Sequence, residues 1–401
     1  MAGRIRTGSL TAMLGWPMAM LIATLVATLS AAESRAAAPI IPPPPDVAAS
    51  GYLLIDADTQ EVLVEHNIHE PLPPASLTKI MTTYIAAVEL EAGRIKLTDQ
   101  VPISVKAWRT EGSKMFIREG TTVPLEDLLR GIIIQSGNDA SVAVAEHVAG
   151  SESAFADMMN QQAQQLGMVE TEFHNATGLP AEGHHTTAWD LALLTRSMIR
   201  RFPDHYAMYS EPSFEYNDIK QPNRNRLLLR DRTVDGVKTG HTEAAGYCLV
   251  ASALRGNMRL ISVVMGTDSD EARMRESQKL LSYGFRYFET QRLYQGGVPL
   301  KTADLWFGEA DQVELGVSED VYVTIPRGHY ENLQAELLIP KVVEAPLAEG
   351  AEVGTLRLRL EDETVLTVPL VTLSAAAEGG MFSRLSDAVA LFFSNLLSSD
   401  E

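Results

Sequence analysis

Pro74-Ala75-Ser76-Leu77-Thr78-Lys79 runs directly into Ile80, Met81, Tyr84, Ile85 and Val88 at helical spacing, so a helix is predicted to begin close to Ser76. Ser76 and Lys79 then stand one turn apart on one face, where their head groups can meet. A serine just ahead of an apolar-periodic helix is equally a favoured N-cap. Upstream, residues 50–65 alternate apolar and polar positions around Asp56-Ala57-Asp58-Thr59-Gln60, the pattern of a hairpin. Downstream, helical periodicity returns through 125–167 and 187–201. Strand-like stretches follow at 246–254 and 260–265, then a helix over roughly 270–290. Helices and strands interleave without strict alternation, which favours an α+β fold over a doubly wound sheet.

The chain has 401 residues, enough for about two or three domains. Hydrophobic residues at 45% and charged residues at 21% exclude a disordered or collagen-like chain. A single cysteine, Cys248, excludes an intramolecular disulfide and a cysteine-rich zinc site; it reads as a small buried strand residue. His184 and His185 are adjacent, so their side chains diverge, and no further ligand spacing accompanies them. They read as loop histidines, and neither a metal nor a cofactor is expected. The net charge of −19 argues against nucleic acid as a partner and requires any anionic substrate to find a local cationic pocket.

Both ends carry membrane-related signals. Arg4 and Arg6 precede an apolar run from Met13 to Val26 and then small residues, Ser30, Ala31, Ala32 and Ala36, Ala37, Ala38. This describes a signal peptide over 1–37, cleaved near Ala32 or around Ala36–Ala37; an uncleaved anchor is the alternative. A proline-rich leader over 38–48 should be extended. The body, 49–401, is thereby expected outside the cytoplasm. After Gly379-Gly380, the residues Phe382, Leu385, Val389, Phe392, Phe393, Leu396 and Leu397 recur at three- and four-residue spacing. They make 378–401 an amphipathic helix, read as an anchor lying in the bilayer surface, with packing on its own domain as the alternative. Between 293 and 377 short strand-like stretches, at 321–325, 333–339, 356–360 and 365–373, are separated by Gly, Pro and acidic turns. This reads as a small all-β domain behind a main domain spanning 49–292.

Two further patterns follow Ser76-Leu77-Thr78-Lys79 in order: Ser136-Gly137-Asn138 and Lys238-Thr239-Gly240. Singly each is weak, since Ser136 and Asn138 suit turns and Lys238-Thr239-Gly240 suits a polar strand end. Together, after an export signal, they resemble the serine acyl-transfer set of penicillin-binding proteins and class A β-lactamases. The longer stretches Gln135-Ser136-Gly137-Asn138-Asp139-Ala140, Asp235-Gly236-Val237-Lys238-Thr239-Gly240-His241-Thr242, Phe173-His174-Asn175-Ala176-Thr177-Gly178-Leu179 and Gln221-Pro222-Asn223-Arg224-Asn225 extend the likeness. From about residue 47 to the C-terminus the chain resembles the D-alanyl-D-alanine carboxypeptidases of the low-molecular-mass, type-5 penicillin-binding protein family.

That resemblance implies a β-lactamase-like transpeptidase domain, then the all-β domain and the amphipathic helix. It implies removal of the terminal D-alanine from peptidoglycan stem peptides ending in D-Ala-D-Ala, through an acyl-serine on Ser76, with β-lactams acylating the same serine. It also implies a periplasmic protein held at the outer face of the inner membrane by its C-terminal helix. A serine hydroxyl needs a base within reach, and Lys79 serves only if burial and a second cation, expected to be Lys238, keep its amine neutral. Ser136 would relay a proton to the leaving amine, and Asn138 would orient Lys79. The backbone N–H groups of Ser76 and His241 would receive the oxyanion, while the His241 ring is open between a substrate contact and a surface histidine. The family alignment suggests Arg273 for the substrate carboxylate, assisted by Thr239, Gly240 and Lys238, with Arg224 in support; Arg273 also reads as a solvated arginine at a helix start. Glu172-Phe173-His174-Asn175 lacks the full Glu-x-x-Leu-Asn form of the β-lactamase deacylation loop, so rapid β-lactam turnover is not expected.

Overall fold

The computed structural model describes residues 41–381, 384–389 and 391. The expected signal peptide over 1–37 and the last part of the expected helix over 378–401 lie outside the described residues. Strands β1 (Gly51–Asp56) and β2 (Val62–His66) form the expected hairpin. After a single 3-10 turn at Ala75–Leu77 comes helix α1 (Thr78–Glu91). The helical stretch that follows is broken twice, giving α3 (Leu125–Ile134), α4 (Asn138–Ala149) and α5 (Glu152–Gln165), with α2 (Val105–Arg109) ahead of them. The first break falls at Gln135-Ser136-Gly137 and the second at Gly150, where φ is +77°. Ser151 then caps α5 by accepting from the Ala154 N–H. Helix α6 (Ala188–Arg201) and α7 (Asp270–Tyr287) complete the principal helices. Two short pairs, β3 (Gln100–Pro102) with β4 (Thr122–Pro124) and β5 (Ser213–Tyr216) with β6 (Ile219–Pro222), escape the sequence reading. They are three or four residues long and carry proline, too little periodicity to register.

Strands β7 (Val234–Thr242), β8 (Gly246–Arg255) and β9 (Met258–Thr267) join the hairpin in an antiparallel sheet ordered β2-β1-β9-β8-β7, which leaves β7 on an edge. Alternation along the strands separates two cores. Leu53, Ile55, Val250 and Val263 face α1, α4 and α6, where Ile80, Met81, Tyr84, Val144 and Leu191 are buried. Leu54, Leu249, Ala251 and Val264 face the opposite way, onto Met274, Leu280 and Leu281 of α7. Helix α1 is enclosed nearly all round, so even Thr78, Lys79, Thr82 and Thr83 are buried. Such a helix takes its stability from packing, and its polar side chains must find partners inside. The leader runs along α7, where the Tyr283 hydroxyl donates to the Pro42 carbonyl at 3.0 Å.

Strand β10 (Phe288–Tyr294) starts where α7 ends and pairs with β13 (Val321–Pro326). The β-rich part therefore begins at Phe288, and the break suggested after Arg292 falls within a strand. Strands β11 (Pro299–Trp306), β12 (Gln312–Gly316), β14 (Leu333–Leu338), β15 (Val343–Glu344), β16 (Glu352–Leu360) and β17 (Glu363–Thr372) form its second sheet. The joint between the two parts is polar. Asp56, wholly buried at the end of β1, accepts from the Asp58 and Thr59 N–H groups at 2.9 and 3.0 Å and from the Thr290 hydroxyl of β10. Thr59 and Thr324 meet hydroxyl to hydroxyl at 2.7 Å. Beyond Gly380 the chain turns helical, and Met381, Leu385 and Val389 lie exposed at four-residue intervals.

Asp56→Ala removes acceptors from several groups that stay buried, so it should cost about 2–3 kcal/mol. Urea unfolding followed by fluorescence checks this, and an unchanged midpoint would show that the joint does not depend on that carboxylate.

Candidate active site

Three segments converge on Ser76. The 3-10 turn and the first turn of α1 carry Ser76 and Lys79; neither helical start has a side-chain cap, so the N-cap alternative for Ser76 is not realised. The Lys79 Nζ lies 3.0 Å from Ser76 Oγ and donates to Asn138 Oδ1 at 2.7 Å and to the Thr177 carbonyl at 2.5 Å. Asn138 opens α4, and its amide Nδ2 donates to the Glu111 carbonyl at 2.7 Å, which turns Oδ1 towards the lysine. Ser136 sits between α3 and α4 with φ at +65°, a left-handed conformation that few non-glycine residues adopt. From β7, Lys238 Nζ donates to Ser136 Oγ at 2.9 Å and to the Thr239 carbonyl at 3.0 Å. The five residues singled out by motif thus form two serine–lysine pairs, with Asn138 beside the first.

Burial first and then the Arg224 cation, against the opposing Asp139 carboxylate, lower the Lys79 pKa from 10.5 to about 7. Lys238 is depressed well below its ordinary value by burial and then by Lys79, Arg224 and Arg273. The cation acting on Lys79 is therefore Arg224, where the sequence suggests Lys238. The field between the two lysines acts on Lys238, whose depression the Lys79 amine deepens.

A neutral amine has two N–H donors and one lone pair. Asn138 Oδ1 and the Thr177 carbonyl are both acceptors, so they take the two donors. The remaining tetrahedral position, the lone pair, is directed at the Ser76 hydroxyl. The turn bearing Thr177 reaches this close because residue 178 is glycine. Gly178 has φ at +78°, and a Cβ there would lie 1.8 Å from the Ala75 carbonyl oxygen.

The two arginines differ. Arg273 is only 7% exposed, so it is no solvated helix-start residue. It donates to the Gly240 carbonyl at 2.8 Å and the Cys248 carbonyl at 3.3 Å, and it pairs with Asp270. Arg224 is exposed, and its guanidinium makes no hydrogen bond or ion pair among the described residues. Its loop is pinned by Asn225, which donates to the Gly236 carbonyl at 2.7 Å, and by Asn223, which donates to Glu211. Thr239 and Gly240 are buried on edge strand β7, and the exposed His241 ring lies 4.0 Å from the Tyr247 ring. Glu172 pairs with His174 at the surface at 3.1 Å and is absent from the cluster. Cys248 is a buried strand residue, its thiol pushed up to about 11 by burial.

Asp139 was not singled out by sequence. Its buried carboxylate accepts the Met115, Phe116 and Ala140 N–H groups at 2.9 Å and fixes the wall that faces Asn138. An acidic residue in the first turn of a helix was the available signal; that it captures a distant loop was not.

Residues 37–269 match the peptidase S11 family, described as D-alanyl-D-alanine carboxypeptidase. The chain belongs to this family. Residues 288–378 match the C-terminal domain of penicillin-binding protein 5. The carboxypeptidase is 45% identical over 357 residues to D-alanyl-D-alanine carboxypeptidase DacC of Escherichia coli K12, covering 87% of this chain and 89% of that one. It is 44% identical to DacA of the same organism, covering 88% and 90%. Among solved structures, penicillin-binding protein 5 of Haemophilus influenzae superposes with a TM-score of 0.81 at 40% identity, over 84% of this chain and 99% of the other. The carboxypeptidase thus has the expected fold, a mixed helix-and-sheet catalytic part followed by an all-β domain.

Proposed function

We propose that this serine hydrolase removes the terminal D-alanine from peptidoglycan stem peptides ending in D-Ala-D-Ala, with Ser76 as nucleophile and Lys79 as its base. The observation that carries this reading is the buried Lys79 amine, 3.0 Å from Ser76 Oγ with its pKa lowered to about 7. The amine takes the hydroxyl proton as Oγ bonds to the carbonyl carbon of the penultimate D-alanine. The Ser76 and His241 backbone N–H groups receive the oxyanion. As the tetrahedral intermediate collapses, the C–N bond breaks, and Ser136, held by Lys238, hands its proton to the departing amine and is reprotonated at the expense of the Lys79 ammonium, which returns to the neutral amine. Water then cleaves the acyl-serine and the free hydroxyl returns. The outer edge of β7, unpaired in the sheet, offers the peptide backbone a strand to align on.

The substrate carboxylate needs a cation with donors to spare. Arg224 meets that need, while Arg273 is committed to the Gly240 and Cys248 carbonyls and to Asp270. We assign the direct contact to Arg224, with Thr239, and give Arg273 the task of holding β7 in place. β-Lactams would acylate Ser76 through the same contacts; penicillin-binding protein D2 of Listeria monocytogenes, 29% identical with a TM-score of 0.57, has been solved in its ampicillin-bound form.

Export across the inner membrane and attachment to its outer face form the second part of the proposal. The exposed stripe of Met381, Leu385 and Val389 supports insertion into a bilayer surface. Among the described residues no helix is long and apolar enough to cross a membrane.

Incubation with a pentapeptide ending in D-Ala-D-Ala should release D-alanine, and Ser76→Ala should abolish release while leaving the protein folded. No release by the folded wild type would contradict the reading. In the same assay Arg224→Gln should raise KM about tenfold or more, as loss of a charge-assisted contact implies; an unchanged KM would return the carboxylate to Arg273. Truncation after Glu378 should move the protein from membrane to soluble fractions, and equal sedimentation of both forms would rule the anchor out.

A further inference from the structure

His184, one of the two loop histidines, lies behind the site and is only 8% exposed. Its Nε2 is 3.0 Å from Thr78 Oγ1, on the residue before Lys79. Its Nδ1 faces two groups, the His174 backbone N–H at 3.4 Å and Asn175 Nδ2 at 3.3 Å. The Asn175 amide cannot be turned round, because its Oδ1 accepts the Thr177 N–H at 3.1 Å, the Thr177 hydroxyl at 2.8 Å and the Gly178 N–H at 2.7 Å. Both neighbours of Nδ1 are therefore donors, so Nδ1 is the acceptor and the ring proton resides on Nε2, which donates to Thr78.

The consequence runs to Lys79. Asn175 shapes the turn that aims the Thr177 carbonyl at the lysine amine, and His184 fixes Asn175 from behind while gripping the first turn of α1. We infer that His184, carrying its proton on Nε2, is a positioning residue for acylation: it ties Thr78 to the 174–179 turn and so holds the Thr177 carbonyl against Lys79. This rests on the reading of Lys79 as the base. Without that carbonyl the neutral amine keeps one fixed acceptor and can rotate, and its lone pair leaves Ser76. Reactions that depend on alignment lose rate steeply for small displacements. Burial and the charges of His174 and His185 lower the His184 pKa to about 4, which keeps Nδ1 free to accept; the neighbouring Glu172 carboxylate pairs with His174.

The test compares His184→Leu, His184→Gln and Thr78→Val in the soluble protein, reading D-alanine release and the rate of acylation by benzylpenicillin. His184→Leu should lower kcat and the acylation rate at least tenfold with KM within twofold of wild type. Glutamine offers one acceptor and one donor, so His184→Gln should recover most of that loss. Thr78→Val, which cuts the link at its other end and suits a buried site, should lower kcat in the same manner and provides the reading if the leucine variant does not fold. Wild-type kcat in His184→Leu or in Thr78→Val overturns the inference, as does a glutamine variant no better than leucine, or a loss confined to KM. Failure of the wild type to acylate at Ser76 would instead sink the proposed function itself.

Discussion

Removing one amine from water is the constraint on which the rest of this structure depends. The role of base proposed for Lys79 near neutral pH depends on the fold burying it completely. Bringing its pKa from 10.5 to about 7 corresponds to roughly 5 kcal/mol of disfavoured charge. The sign follows from linkage: between pH 7 and 10.5 the unfolded chain binds this proton and the folded chain does not. Stability therefore rises with pH across that window, and the cost is present in full below it. Packing elsewhere must offset it, and α1, enclosed by the sheet on one side and helices on the other, provides that packing.

Burial alone would leave the amine free to turn, so the surrounding parts act as a jig. Asn138 is held by Glu111, the Thr177 turn by Asn175, and Gly178 lets that turn press against the Ala75 carbonyl. Asn138 and Thr177 come from different segments, and only the tertiary fold brings both within 3 Å of one nitrogen. The second lysine, Lys238, plays the matching part for Ser136 from an edge strand whose far side is left open. Arg273 braces that strand from beneath, which leaves Arg224 as the cation with unused donors.

Much of this was legible in the sequence because it is local. The hairpin around Asp58 and the helix behind Ser76 follow from periodicity, and the fold family from the resemblance that three short motifs in order carry. Within the stretch whose spacing predicts a helical tail, Met381 and 384–389 are helical. What escaped is what depends on distance along the chain. Nothing near Arg273 announces that its guanidinium will be consumed by the Gly240 and Cys248 carbonyls. Nothing near Thr177 shows that its carbonyl, a backbone atom with no residue signature, will hold the lysine. Asp139 follows Ser136-Gly137-Asn138 directly, yet its hold on Met115 and Phe116 belongs to packing. Short strands such as β3 to β6 were missed for a different reason, since three or four residues are too few to show a period.

The most direct measurement is the titration of the Lys79 side chain itself, by NMR of protein labelled with 13C at lysine Cε, with Lys79→Arg used for assignment. A midpoint near pH 7 is the result this account requires. A midpoint at or above pH 10 would mean that the amine is an ordinary ammonium at neutral pH and cannot be the base that activates Ser76.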